Sequence, residues 1–575
     1  MNRYLDFKVA RCKDCYKCLR ECPVKAIDVK DHQAKIIDDR CILCGHCTTV
    51  CPQNAKVVHS ELDNVKKILE EGGQIFASVA PSYVASFQLQ DFSIFKIALG
   101  KLGFTDADET AIGANAVVRE YKRHLDSGEF KNYIASACPA LCKLIQLYYP
   151  KALRYLAPVD SPMIAHAKII KSQYPDAKII FIGPCIAKKR EASESNLIDA
   201  VLTFEELKLL FDEREIVLDE ITKLNTGKKG KYANYAKAFP ITSGIIKSFH
   251  VVPDGYEYMA VDGVTRCMEV LENIDCLSGV FLEMNTCENA CVNGPCSLMI
   301  PGGSVKATAD VKTYVKKDKD TLPIESSQAP LGLDFSTSYP RMRNASKPAT
   351  EKEIDAILAK TGKVKPEDEL NCGACGYATC REKAWAVYNG YADIEVCLPY
   401  MRKRAESMSY EVIQNSPEGL IVLDTDFNVI EINNKAKALL GITDQYVKGR
   451  PAIDFFDPSE FMEAYNKKQH MEMARLFVKE TKKYVDLSIN LLTEHNTLFG
   501  IMKDVTAQVN YDDKLSNMKM ETLMTTDGVI QKQMRVAQEI ASLLGETTAE
   551  TKVALLKLKK TLQQEDNNTQ ENNNR

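Results

Sequence analysis

The chain has 575 residues, 45% hydrophobic and 26% charged, with 74 Lys+Arg against 78 Asp+Glu for a formal charge of −4. At about 150 residues per domain that is a chain of several globular domains, too evenly charged for a generally basic nucleic-acid binder. No apolar run reaches the roughly 18 residues that span a bilayer, and the start MNRYLDFKVARC lacks the apolar core of a secretory signal, so a cytoplasmic location away from membranes is expected.

Twenty cysteines set the chain apart. Clustered in a reducing compartment, they point to metal or catalysis rather than to disulfides. Cys12, Cys15, Cys18 and Cys22-Pro23 follow C-x2-C-x2-C-x3-C-P, and Cys41, Cys44, Cys47 and Cys51-Pro52 repeat the spacing without change. In two-cluster ferredoxins the fourth cysteine of each run ligates the other cluster. Cys12, Cys15, Cys18 and Cys51 are therefore expected to hold one cubane, and Cys41, Cys44, Cys47 and Cys22 the second. The alternative is a pair of zinc knuckles, which use two CxxC pairs instead. Strand-like runs at Ala26–Val29 and Lys35–Ile37 suit a small α+β unit.

Farther on, Gln74–Ala80 and Ala177–Gly183 are apolar strands with amphipathic helices between them, the pattern of an α/β domain with a parallel sheet. Three cysteine segments follow in order: Ser136-Ala137-Cys138-Pro139, Gly183-Pro184-Cys185-Ile186-Ala187-Lys188-Lys189-Arg190-Glu191, and Glu283-Met284-Asn285-Thr286-Cys287-Glu288-Asn289-Ala290-Cys291. These segments resemble the three signatures of the FeFe-hydrogenases, T-S-C-C-P, M-P-C-x-x-K-x-x-E and E-x-M-x-C-x-x-G-C, and a ferredoxin unit precedes them as in that family. The resemblance covers about residues 1–340. It implies that Cys138, Cys185, Cys287 and Cys291 bind the cubane of the H-cluster, and that Cys291 bridges to a diiron subcluster with CO, cyanide and dithiolate ligands. It also implies that Ala80-Pro81-Ser82 borders the diiron site and that Lys188 donates a hydrogen bond to a cyanide, as suits an ammonium facing a buried anion. The residues alone leave a second reading open, a solvated i,i+3 pair of Lys188 with Glu191.

The departures from the family pattern matter as much. Ala137 stands where the family has its proton-relay cysteine, Gly183 and Asn285 stand for two methionines, and Ala290 stands for a glycine. Glu120 and Glu191 are candidates for a proton path, but a methyl at position 137 interrupts its end. A general acid–base step contributes about 10²–10⁴-fold, so slow turnover is expected. Ligands kept and relay lost suggest sensing rather than bulk catalysis.

After a connector at Asp334–Thr350, Cys372, Cys375, Cys380 and Cys397 resemble the small 4Fe-4S domain of electron-bifurcating and corrinoid-linked proteins, with a four-cysteine zinc site as the alternative. Cys142, Cys267, Cys276 and Cys296 remain, and structural thiols are expected there. Strand-like Gly419–Leu423 and Phe427–Asn433 around an Asp-centred turn resemble the opening of a PAS domain, with later strands at Ala474–Lys479, Lys483–Leu492 and Thr497–Asp504. His470 and His495 read as surface residues, with haem ligation as the alternative. Ile530, Met534, Ala537, Ala541, Leu544, Thr548, Thr551, Leu555, Leu558 and Leu562 run at 4,3 spacing, which predicts a continuous coiled-coil seam; a helix packed on its own PAS domain is the alternative. Gln563–Arg575 reads as disordered.

The expected chain is thus multidomain α/β: a ferredoxin-like α+β unit (1–60), an α/β H-cluster domain (61–340), a small 4Fe-4S domain (341–404), an α+β PAS domain (405–511) and a C-terminal helix with its tail (512–575). Its expected work is slow H2 ⇌ 2H+ + 2e− in a sensory FeFe-hydrogenase, with H2 and protons as substrates and a ferredoxin-type electron carrier. A homodimer and an output to a separate kinase or phosphatase are expected, because no kinase ATP-binding motif or DNA-binding helix pattern follows. Two alternatives stay open: a ferredoxin-linked electron-transfer enzyme whose PAS domain is only a dimer scaffold, and a cluster protein without the diiron site.

Overall fold

Continuous apolar runs such as Ile75–Val79, buried at every position, form strands covered on both faces, as parallel sheets require. In the computed structural model, residues 4–8, 11–30, 33–224, 235–249, 251–317, 332–343, 346–444, 446–492, 496–544 and 552–561 are described. The chain divides into two units, Met1–Met401 and Arg402–Arg575. Among the described residues no helix is long and apolar enough to cross a membrane.

Two parallel sheets organise the first unit. One has the order Asp106–Glu109, Ile75–Val79, Lys178–Gly183, Ala200–Thr203, and the other the order Glu257–Asp262, Val280–Asn285, Asn132–Ile134. Their carboxyl ends matter most, because ligands in open parallel sheets bind just beyond them. Ile75–Val79 runs into Ala80-Pro81-Ser82, Asn132–Ile134 leads to Cys138, Lys178–Gly183 to Cys185, and Val280–Asn285 to Cys287. Helices Ala111–Ser127 and Pro162–Gln173 pack so closely that a Cβ on Gly113 would lie 2.2 Å from the Pro162 carbonyl oxygen and 2.5 Å from His166 N.

The cysteine-rich start folds as two antiparallel pairs, Leu5–Phe7 with Lys56–Val58 and Ile27–Lys30 with Gln33–Ile36, plus short helices Lys17–Glu21 and His46–Thr49. The later cysteine segment surrounds helix Cys380–Tyr388, N-capped by Thr379. It packs on the start of the chain. A Cβ on Gly376 would meet Arg20 Cα and Leu19 Cδ2, each at 2.9 Å, and the Arg40 guanidinium lies 5.8, 5.6 and 4.7 Å from the ring centroids of Tyr148, Trp385 and Tyr391.

The second unit holds a five-stranded antiparallel sheet in the order Val429–Ile432, Gly419–Leu423, Thr497–Asp504, Lys483–Leu492, Met471–Val478. Alternating burial along Gly419–Leu423 directs Ile421 and Leu423 into the core with Phe461 and Leu487. Asp424 makes the turn by accepting from the amides of Asp426 and Asn428, at 2.9 and 2.8 Å. His470 is exposed, and His495 lies outside the described residues.

The C-terminal helix differs from the expectation. It spans Thr506–Leu544, so it begins before residue 512, and a second helical segment covers 552–561. Lys559 pairs with Asp527 at 3.0 Å. Those residues would lie nearly 50 Å apart along one straight helix at about 1.5 Å per residue, so the second segment runs back along the first. A single continuous seam from Ile530 to Leu562 is therefore not formed. Thr548, Thr551, Leu562 and the tail lie outside the described residues.

Candidate metal centres and active site

The strand ends enclose one cavity of about 930 Å³ counted with its mouth, and Cys138, Cys185, Cys287 and Cys291 all line it. Burial pushes the Cys185 thiol up to about 11 and raises Cys287 and Cys291 further, and each is raised again by the charges of its neighbours. Such a set of thiols repels itself on ionising unless a positive iron core holds it. Ala80, Pro81, Ser82 and Lys188 line the same cavity.

Two polar groups test the fit of an anionic metal group here. Lys188 Nζ is buried and donates to Ser161 Oγ at 2.9 Å and to Glu191 Oε2 at 2.6 Å, which uses two of its three donors and leaves one for the cavity. Ser82 Oγ is buried with no hydrogen-bond partner, an arrangement that is costly unless a polar occupant meets it. Both fit the cyanide-bearing group that the sequence resemblance implies.

Glu191 is the partner of Lys188 but not a wall residue, and Glu120 sits outside, paired with Arg123 at 2.7 Å. No carboxylate is among the described lining residues. Ala137 and Asn285 both line the cavity. The room near Gly183 is filled: a Cβ there would lie 2.8 Å from Phe181 Cε1 and 3.1 Å from Ala80 Cβ. Ala290, with φ of +57°, holds the left-handed backbone that a glycine would adopt more cheaply.

Sequence reasoning passed over three features of the wall. Met163 lines it from the start of helix Pro162–Gln173, where Ser161 is the N-cap, and a Ser-Pro pair before an apolar run was the available signal. Thr286 Oγ1 lies 3.6 Å from Cys138 Sγ. Thr110 bonds to Ser78 Oγ at 2.8 Å, which in turn meets His166 Nδ1 at 2.8 Å. Burial lowers His166 to about 4, so it is neutral. These polar residues sit singly in apolar segments and carry no pattern.

The other cysteine sets form further sites. Cys12, Cys15, Cys18 and Cys51 line one cavity of about 390 Å³ together with Lys56. The Lys56 ammonium is buried over the Phe7 ring, and its charge and its hydrogen bond to the Cys18 thiol oppose the burial that raises that thiol. Cys41, Cys44 and Cys47 are raised by burial and by the charge of Cys22, with Cys41 reaching about 11. Cys44 also lines the large cavity, and Cys287 feels its charge. Cys372, Cys375, Cys380 and Cys397 line a fourth space of about 540 Å³. Among the described residues no group of three or more His, Cys, Asp and Glu is placed to hold a single metal ion.

Cys142 donates to the Ser136 carbonyl and Cys267 to the Asn285 carbonyl, each at 3.4 Å. Cys296 is buried and Cys276 exposed.

Residues 73–295 match the family model described as iron only hydrogenase large subunit, C-terminal domain. Residues 11–55 match a 4Fe-4S dicluster domain, 368–399 an Fe-S cluster family, and 407–470 a PAS domain. Iron hydrogenase 1 of Clostridium pasteurianum is 25% identical over 375 residues, covering 47% of this chain and 65% of that one. The periplasmic Fe hydrogenase large subunit of Nitratidesulfovibrio vulgaris is 25% identical over 323 residues, covering 47% of this chain and 75% of that one. The NADP-reducing hydrogenase subunit HndD of Solidesulfovibrio fructosivorans is 23% identical, and the match spans 43% of its length. A solved FeFe-hydrogenase from Chlamydomonas reinhardtii aligns with a TM-score of 0.38 at 16% identity, over 49% of this chain and 99% of that one.

Proposed function

We propose that this chain, which carries an iron-only hydrogenase C-terminal domain together with dicluster ferredoxin, Fe-S and PAS domains, acts slowly on H2 and reports on it. The observation that carries this reading is the convergence of Cys138, Cys185, Cys287, Cys291, Lys188 and the orphaned Ser82 hydroxyl on one cavity. When bound, a diiron subcluster with CO, cyanide and dithiolate ligands supplies the chemistry H2 ⇌ 2H+ + 2e−. The four cysteines would hold the neighbouring cubane, with Cys291 the thiolate placed to serve both groups. The third N–H of Lys188 is available to a cyanide, Ser82 offers its hydroxyl, and Pro81 and Ala80 keep water from that wall. Ala137 has no proton to give, and Glu120 is too far out to replace it, so proton transfer limits turnover.

Electrons leave through the set that includes Cys44, then the set that includes Cys18, to a ferredoxin-type carrier. The sensing part of the proposal rests on the lost relay together with the PAS domain, whose output is a separate kinase or phosphatase. The exposed apolar residues Met518, Met524, Val529, Val536 and Ile540 on helix Thr506–Leu544 support dimerisation through that helix. A cytoplasmic location fits twenty cysteines of which none is paired in a disulfide, although one relative is named as periplasmic. The names of the relatives favour a second reading, an ordinary electron-transfer hydrogenase with PAS as scaffold.

Replacing Cys291 by Ala tests the chemistry: hydrogen–deuterium exchange is lost while the ferredoxin cubanes keep their signals, and near-normal exchange would refute the assignment. Truncation after Asp512 tests the output: exchange persists, while dimerisation and an H2-dependent partner response are lost together. An H2-dependent partner response that survives truncation defeats the output proposal, and the absence of any such response in the full chain favours the second reading.

A further inference from the structure

The space between Cys372, Cys375, Cys380 and Cys397 has two cations built into its wall. Lys363 and Lys383 both line it and are only 8% and 7% exposed. Lys363 Nζ lies 3.4 Å from Cys397 Sγ and donates to Thr361 Oγ1 at 3.0 Å. Lys383 Nζ donates to the Asp393 carbonyl at 2.5 Å, and the negative charges that act on it most are Cys375 and Cys397, ahead of Asp28 and Asp393. Buried ammoniums are costly unless an anion faces them. Two of them against four cysteines complement a thiolate-bound cubane, a dianion when oxidised and a trianion after one electron. The extra charge is stabilised by nearby cations and by N–H···S bonds, which is how protein surroundings raise a cluster's potential.

We infer that Lys363 and Lys383 raise the potential of this fourth cluster above both ferredoxin cubanes, so that an electron from H2 comes to rest there; this rests on the reading of the four cysteines as cubane ligands. The first ferredoxin site has one buried ammonium, that of Lys56, which also acts on Cys47 of the second site, where Arg190 acts on Cys41. The route to the fourth cluster is short. Gly376 packs on Arg20 and Leu19, which lie between Cys18 and Cys22, and Tyr377 feels the charges of both Cys375 and Cys22. Electrons therefore reach it from the ferredoxin unit and not directly from the large cavity. In the balanced step H2 yields two protons to solvent and two electrons; one reduces the fourth cubane by one level and the other remains on a ferredoxin cubane. Cys397 is followed directly by helix Leu398–Gln414, through which the chain continues into the second unit, so the stored charge lies at the start of that connection.

The test is a potentiometric titration of the full-length, cluster-loaded chain followed by electron paramagnetic resonance, with the fourth signal identified as the one that Cys397→Ala removes. In the unsubstituted chain this cluster is reduced first as the potential falls. Lys363→Met and Lys383→Met each shift its reduced-to-oxidised ratio at fixed potential at least tenfold toward the oxidised form, about 59 mV for a one-electron couple, whereas Lys363→Arg keeps it near the original. Either ferredoxin cubane being reduced before it in the unsubstituted chain overturns the inference, even should the Met variants fail to fold. An unshifted midpoint in a Met variant with full iron content also overturns it. Zinc in place of iron at this site in the unsubstituted chain would instead defeat the cubane reading itself, before any potential is measured.

Discussion

Lys188 has two roles that one pair of variants separates. Its ammonium bonds to Glu191 at 2.6 Å and to the buried Ser161 hydroxyl at 2.9 Å, and the two side chains of the ion pair are 10% and 19% exposed. Removing one member of a buried pair costs about 3–5 kcal/mol, whereas an exposed pair is worth less than about 1 kcal/mol. The residual exposure of Glu191 puts Lys188→Met near the lower figure, about 3 kcal/mol. At roughly 2 °C per kcal/mol for a large domain, the unfolding midpoint of the cluster-free chain falls by about 6 °C. Lys188→Met combined with Glu191→Leu removes both charges, so stability returns to within about 1 kcal/mol of the original. Hydrogen–deuterium exchange after cluster insertion stays lost in both variants, because neither has an N–H for the cavity. A double variant that regains both stability and exchange would refute this reasoning and reduce Lys188 to a structural pair.

Ala137→Cys supplies a proton donor on the cavity wall and is expected to raise turnover at neutral pH at least about tenfold, worth about 1.4 kcal/mol of barrier; an unchanged rate with the cluster intact would show that another step limits. Glu283 is fully buried, and burial outweighs the amides of Gly244 and Ile246 to push its carboxyl up to about 7. The folded state thus binds a proton that the unfolded state has released above about 4.5. This contribution is complete below that pH and is lost as pH rises through 7, by up to roughly 3 kcal/mol. The unfolding midpoint of Glu283→Gln should be lower overall, because one amide loses its acceptor, and should fall less between pH 5 and 8 than that of the unsubstituted chain; an identical slope contradicts the assignment.

Cluster sites were legible because ligand spacing is local. The doubled run at Cys12–Cys51 suggests crosswise ligation, and Cys12, Cys15, Cys18 and Cys51 line one cavity. The strands leading to Cys138, Cys185 and Cys287 were legible as apolar runs, and parallel pairing brings their ends together. Other features depend on long-range packing and leave no periodic trace. Glu120, a candidate for a proton path, pairs with Arg123 on its own helix Ala111–Ser127 and does not line the cavity. The 4,3 pattern runs unchanged from Ile530 to Leu562, so periodicity alone could not reveal the pairing of Lys559 with Asp527. Lys56, Lys363 and Lys383 were invisible because a lone lysine in a polar segment looks solvated until its burial is known.

Whether the large cavity holds a diiron group is answered most directly by infrared spectroscopy of the chain matured in vitro and exposed to H2. We expect sharp CO and cyanide bands that shift on adding H2, that are absent from Cys291→Ala, and whose cyanide frequencies move in Lys188→Met/Glu191→Leu if any group is retained. A matured chain with a full complement of cubane iron and no such bands would contradict the hydrogen chemistry proposed for this site.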